Sequence, residues 1–198
     1  MHTAFIRFLC AVALFALPFS ASADLSGVPS GKYSLDASHG YITFTYSHLG
    51  FSNPRVGFNR FDTVLELDSS SPENSTIEVT IDASSIDSRV AEFNDHLNGS
   101  DFFNTGEYPT ITFKSTKIEA TGENSFDVTG DLTILGTTKP VTLVTTINKA
   151  ANHPLRNVPT VGVSASTELM RSEWGLGAYV PAVSDEVELS IEVELLAE

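Results

Sequence analysis

The run EVELSIEVEL, residues 186–195, alternates without exception. Val187, Leu189, Ile191, Val193 and Leu195 take one set of positions, and Glu186, Glu188, Ser190, Glu192 and Glu194 take the other. Successive side chains of a strand point to opposite faces, so this is a β-strand with one dry face and one acidic, wet face. Working outward, the same pattern recurs in YITFTYSH (41–48), TIEVTIDA (76–83), TITFKS (110–115), FDVTGDLTI (126–134), VTLVTTI (141–147) and TVGVSASTEL (160–169). KYSLD near Lys32 reads as a short opening strand. The longer run VGFNRFDTVLEL (56–67) changes phase between Phe58 and Phe61, which predicts a bulge.

Turn-forming clusters at 68–75, 122–124, 136–140 and 150–159 separate these runs. About eight or nine one-sided strands with short connections make an antiparallel sheet that must curl into a barrel or split into a sandwich. One segment departs from the pattern. In DSRVAEFNDHLNGSDFFN (87–104), Val90, Phe93 and Leu97 fall at helical spacing, with Asp87 or Ser88 placed to cap the start and Asn98-Gly99 to end it.

The first 23 residues, MHTAFIRFLCAVALFALPFSASA, read as a cleavable export signal. Arg7 precedes an apolar run too short to span a bilayer, and Ala21-Ser22-Ala23 is a small-x-small cleavage pattern. Cleavage before Asp24 leaves 175 of 198 residues, one domain at 24–198. Cys10 leaves with the signal, so no disulfide or thiolate chemistry is expected of the exported chain. With Arg7 gone, 10 Lys and Arg face 25 Asp and Glu, a formal charge of −15. That surface repels nucleic acid and anionic headgroups.

Motifs for chemistry are sparse. His39, His48, His96 and His153 are scattered without ligand spacing, and read as hydrogen-bonded barrel or rim residues rather than as a metal set. There is no Gly-x-Ser-x-Gly elbow and no glycine-rich phosphate loop. The acids are regular outward residues of strands. Aromatics are the remaining signal, with 13 Phe, 5 Tyr and 1 Trp. Phe44, Tyr46, Phe58, Phe61, Phe113 and Phe126 fall on the dry phase. Small residues interrupt the stripes (Ser47, Gly57, Ser115, Gly130, Ala165), which would leave space. Phe51, Phe102, Phe103 and Tyr108 lie in loops, where they need something apolar to cover. A barrel of about eight strands holds one small ligand.

Eight segments in order resemble the YceI-like family, periplasmic proteins with a lipocalin-like barrel. They are YSLDASHGYITFTYSHLGF (33–51), VGFNRFDTVLELD (56–68), SSIDSR (84–89), DHLNGSDFFN (95–104), YPTITFKST (108–116), VTGDLTILGTTKPVTL (128–143), RSEWGLG (171–177) and VSDEVELSIEVE (183–194). The resemblance implies an all-β fold, an extended eight-stranded antiparallel β-barrel with a short helix near its mouth. It also implies a tunnel for a long apolar molecule such as a polyisoprenoid, an isoprenoid quinone or a fatty-acid derivative. Trp174, where the family more often has Phe, is a departure that would reshape the cavity, and Ser38-His39-Gly40 departs from the usual His-Ser pair. No catalytic residue carries over.

The expected lining of lumen and mouth is Phe44, Tyr46, His48, Phe51, Phe58, Phe61, Phe93, Leu97, Phe102, Phe103, Ile111, Phe113, Leu132, Ile134, Arg171 and Trp174. Tyr46, His48 and Arg171 are the candidates for a polar headgroup. Strands of nine or ten residues would enclose a lumen about 25 Å long. The function expected is a non-enzymatic periplasmic carrier of an isoprenoid or fatty lipid, with no cofactor beyond such a bound polyprenyl or quinone, no metal, no nucleic acid and no stable membrane insertion. Two other classes stay open: an enzyme on such a lipid with His48 or His96 as base, and a filled structural or stress-response barrel. Homodimerisation through an edge strand or the helix also stays open.

Overall fold

The structure, a computed structural model, describes residues 25–198. The leader expected at 1–23, with Cys10, lies outside the described residues. Ten strands follow in order: β1 (Gly31–Thr45), β2 (Arg55–Phe58), β3 (Phe61–Leu67), β4 (Thr76–Asp82), β5 (Ile86–Asp87), β6 (Thr110–Ala120), β7 (Ser125–Ile134), β8 (Thr137–Asn152), β9 (Pro159–Met170) and β10 (Glu186–Ala197). Among the described residues one α-helix, α1 (Ala91–Asn98), lies between β5 and β6. Eight of the strands run β10-β9-β8-β7-β6-β4-β3-β1, and β10 pairs again with β1, so the sheet closes on itself. β2 and β5 extend it beside one half of β1. Closure settles the choice between barrel and sandwich and removes the exposed edges of an open sheet.

The phase change between Phe58 and Phe61 is a strand break. β3 pairs with the first half of β1 (Gly31↔Leu67 to Ser34↔Val64), and β2 pairs with the second half (Ile42↔Phe58 to Thr45↔Arg55). Asn59 and Arg60 turn between them, and the Asn59 and Arg60 amides donate to the Ser85 carbonyl and hydroxyl, each at 3.0 Å. KYSLD and YITFTYSH are likewise one strand. β1 runs through the first and through the second as far as Thr45, with Asp36–His39 looped out where its register against β10 shifts between Leu35 and Gly40.

Two other expectations fail for local reasons. The turn placed at 136–140 is the two-residue hairpin Leu135-Gly136, both left-handed (φ 50° and 71°), and β8 carries Pro140 inside it. Proline is tolerated there because pairing of β8 with β9 begins only at Val144↔Ser166, so Pro140 faces no β9 ladder. The helix starts at Val90 with no side-chain cap. Asp87 instead accepts from the Arg89 amide at 2.7 Å, and Ser88 donates to the Asn94 side chain at 2.6 Å.

All mouth loops gather at one end: 46–54, the helix and its flanks at 88–109, Leu135-Gly136, and 171–185. The loops at 68–75, 121–124 and 153–158 close the other end together with the N-terminal segment, whose Leu25 and Val28 are buried. Among the described residues, no helix is long and apolar enough to cross a membrane.

Candidate functional site

The inward residues of the mouth-side half enclose a cavity of about 420 Å³. Ile42 and Phe44 come from β1, Phe58 from β2, Val79 and Ile81 from β4, Ile111 and Phe113 from β6, Leu132 and Ile134 from β7, Val141 and Leu143 from β8, Leu169 from β9, and Val187, Leu189 and Ile191 from β10. Period-two alternation sends each of them into the barrel. The mouth is finished by Tyr46, His48 and Leu49 of one loop, Phe93, His96, Leu97, Phe102 and Phe103 of the helical segment, and Arg171, Trp174, Leu176, Tyr179, Ala182 and Val183 of another.

Fourteen of the sixteen expected residues lie on this wall. Phe51 does not. It sits at the tip of its turn, 90% exposed, with its amide bonded to the His48 carbonyl at 2.9 Å. Phe61 does not either. It begins β3 opposite Ile81 of the wall but packs over Gly40, where a Cβ would stand 2.9 Å from the phenyl ring. The small residues expected to leave space do not line it. The position of a Cβ on Gly130 is taken by the Phe113 ring, 2.5 Å away, and Ser115 spends its hydroxyl on the Ile77 amide at 2.9 Å.

The adjacent phenylalanines diverge because they lie in a turn. Phe103 drops inward, 8% exposed, edge-on to Phe58 with ring centroids 5.6 Å apart, while its amide bonds to the Leu97 carbonyl at 3.0 Å. Phe102 stays at the rim, with centroids 4.9 Å from His96 and 6.2 Å from Tyr179. Trp174 is 3% exposed and donates Nε1–H to the Leu132 carbonyl at 3.2 Å, so its ring is a fixed part of the wall.

Polar groups are few. Burial pushes the Tyr46 phenol up from 10.0, with Arg171 acting the other way, so it stays a neutral hydroxyl. Burial pulls the Arg171 guanidinium below its ordinary value, opposed by Asp185 and Tyr46. Arg171 donates to the carbonyls of Ser184 (2.8 Å), Ala178 (2.9 Å), Val183 (3.1 Å) and Leu176, so most of its donors shape the 171–185 loop rather than await a headgroup. Neither the His48 nor the His96 imidazole is hydrogen-bonded to a carboxylate or hydroxyl among the described residues.

A polar cluster lies elsewhere, at the loop-out in β1. Asp36, 7% exposed, accepts from the Ser38 hydroxyl (2.6 Å) and amide (3.1 Å) and meets His39 Nδ1 at 2.9 Å. Arg156 Nη1 lies 2.6 Å from its Oδ2. Asp36, His39 and Glu194 bring one donor atom each within 4.8 Å, but Arg156 already supplies the cation there. Sequence reasoning missed this cluster because its members are up to 158 residues apart. It also missed Leu176, Tyr179, Ala182 and Val183. The signal available for those was the charge-free run GLGAYVPAVS (175–184) in an acidic chain.

A closed eight-stranded antiparallel barrel with an apolar cavity open at one end defines a lipocalin-like protein. Residues 33–195 match the YceI-like domain, and the chain belongs to the YceI-like family. A UPF0312 protein of Pseudomonas paraeruginosa is 35% identical over 186 residues, covering 94% of this chain and 95% of the relative. Among solved structures, Burkholderia cenocepacia BcnA shares the fold with a TM-score of 0.74 at 24% identity, covering 81% of this chain and 98% of that one. A polyisoprenoid binding domain from Saccharophagus degradans, implicated in plant cell wall breakdown, superposes with a TM-score of 0.66 at 16% identity, covering 84% and 98%.

Proposed function

We propose that the protein is a non-enzymatic carrier that holds one long apolar lipid, a polyisoprenoid, an isoprenoid quinone or a fatty-acid derivative, by its chain in the mouth-side lumen. The observation that carries this reading is a 420 Å³ cavity walled almost wholly by aliphatic and aromatic side chains in a barrel whose outer surface is acidic. That volume lies within the range of about 300–1,000 Å³ of small-molecule sites. The Saccharophagus domain, which binds polyisoprenoid and shares the fold, supports the ligand class.

Burial of each CH2 contributes roughly 0.8 kcal/mol, whereas association costs about 4–15 kcal/mol. A chain of about ten carbons therefore barely binds by burial alone, and one of about twenty binds well without strong polar contacts. Val187 to Ile191 spans about 14 Å of strand, so a long isoprenoid folds back inside or extends from the mouth. Tyr46 and His48 are the groups that meet its polar end. The leader expected at 1–23 directs the protein to the periplasm.

The test is native mass spectrometry and solvent extraction of protein expressed with its leader in a Gram-negative host. A stoichiometric adduct that extracts as a polyprenyl, quinone or fatty species is expected. A bare mass, unchanged after exposure to those lipids, sinks the reading and leaves a structural barrel. A lipid recovered chemically altered after incubation moves the protein to the enzyme class.

A further inference from the structure

Two mouth loops, 46–54 and 175–184, contain no Asp, Glu, Lys or Arg, although the 24–198 chain carries a formal charge of −15. They are joined into one lobe. The Leu49 amide donates to the Ala182 carbonyl and the Ser184 amide to the Ser47 carbonyl, both at 3.0 Å, and His48 bridges to Val183. The lobe turns apolar side chains outward: Phe51 is 90% exposed, Tyr179 60%, Leu49 54% and Val180 38%. Leu49 and Tyr179 are held in the left-handed region (φ 54° and 64°), which a side-chain-bearing residue adopts only where its surroundings impose it. The outward apolar surface is thus part of the fold's specified shape.

The lobe is continuous with the cavity, because Leu49 and Tyr179 are exposed outside and also line the wall within. Beside the lobe, past the contacts of Tyr179 with His96 and Phe102, the character reverses. Glu92 and Asp95 of α1, with Asp101 and Glu107 after it, are exposed. The lobe's part of the rim is uncharged and apolar, and the α1 part is anionic.

We propose that the 46–54 and 175–184 lobe inserts into the interface of an electrically neutral lipid bilayer and sets the cavity mouth against the membrane. Neutral lipid is the occupant that fits, since apolar residues partition into the interface without needing opposite charge and the acidic side of the rim disfavours anionic headgroups. This differs from the usual peripheral protein, which binds through basic residues and is strengthened by anionic lipid. Docking serves a lipid carrier and so presupposes that reading, yet it is measurable without any cavity ligand.

The experiment is co-flotation of the purified chain with phosphatidylcholine vesicles, and with vesicles in which part of that lipid is replaced by phosphatidylglycerol. The protein floats with phosphatidylcholine and floats less as phosphatidylglycerol is added, the loss being reversed by salt. Phe51→Ser, at a fully exposed site, weakens flotation about tenfold, the effect of withdrawing one phenyl group from an apolar phase. Leu155→Ser, equally exposed at the closed end, leaves it unchanged. Leu189→Trp, which fills the lumen behind the lobe, abolishes lipid uptake and leaves flotation intact.

Absence of flotation on phosphatidylcholine overturns docking even if the protein takes up lipid from detergent, in which case the carrier reading survives alone. Equal losses for Phe51→Ser and Leu155→Ser also overturn it. So does a dimer that Phe51→Ser converts to monomer without vesicle binding, since the lobe then covers a second copy. Flotation without uptake of any lipid keeps the docking surface and removes the carrier.

Discussion

Val187, Leu189 and Ile191 face an open lumen, whereas Val193 and Leu195, further along β10, are 7% and 0% exposed in a packed core. The strand presents the same kinds of residue throughout. What differs is what enters from the ends. On the closed side Leu25 and Val28 of the N-terminal segment are buried in one core cluster with Tyr33, Leu65, Phe126, Val128 and Val161, and Tyr33 anchors its hydroxyl on the Pro29 carbonyl at 2.7 Å. On the mouth side Leu97, Phe103, Trp174 and Leu176 are buried, while Phe102 and Tyr179 stand at the rim. The expected 25 Å tunnel is therefore a half-length pocket on a solid base.

The largest expected effect follows from that contrast. Leu195→Ala leaves a cavity in the packed half and costs about 3–4 kcal/mol in urea unfolding, while Leu189→Ala in the open half costs under about 1 kcal/mol. Equal losses would mean that the lumen is not open. Next, the two adjacent phenylalanines, Phe102 and Phe103, should separate. Phe103→Ser removes a ring packed on Phe58 and costs about 3 kcal/mol, with lost lipid binding, whereas Phe102→Ser weakens lipid binding with under about 1 kcal/mol of stability. If Phe103→Ser lowers stability and leaves lipid binding intact, Phe103 is a structural plug.

The third effect probes the loop-out in β1. The Ser38 hydroxyl, then His39 and Arg156, hold the Asp36 carboxyl well below its ordinary 3.8. A depressed carboxylate contributes stability that is full above the unfolded value and lost as pH falls below it. Asp36→Asn therefore costs about 2 kcal/mol at neutral pH, and its gap from wild type closes as pH drops below 3.8. A gap independent of pH would show that the carboxylate's charge does not matter there.

Much of the barrel was legible. The runs at 76–83, 126–134 and 186–195 match β4, β7 and β10 within two residues at each end, because a half-wet strand imprints its period directly on the sequence. Legibility failed where partners, not period, set the structure. The joining of 32–36 to 41–45 across the Asp36–His39 loop-out depends on β10, and the tolerance of Pro140 depends on β9 being absent from that part of β8. At the site, residue type and phase identified Phe44, Phe58, Ile111, Phe113 and Leu132. Phe51 lies off the wall because a loop aromatic gives no direction, and Phe61 because phase does not show that Gly40 of the loop-out leaves room for its ring.

The alternating pattern of EVELSIEVEL and its companions, the net negative charge and the eight ordered segments were enough to specify an acidic, all-β barrel of the YceI-like family. Three features came only from the assembled molecule: which half of the lumen is filled, which face each rim residue takes, and that two uncharged loops 129 positions apart form one lobe. Alternation reports the side of a strand through local geometry. Packing density and the meeting of distant loops are properties of the space between strands, and no local pattern encodes that space.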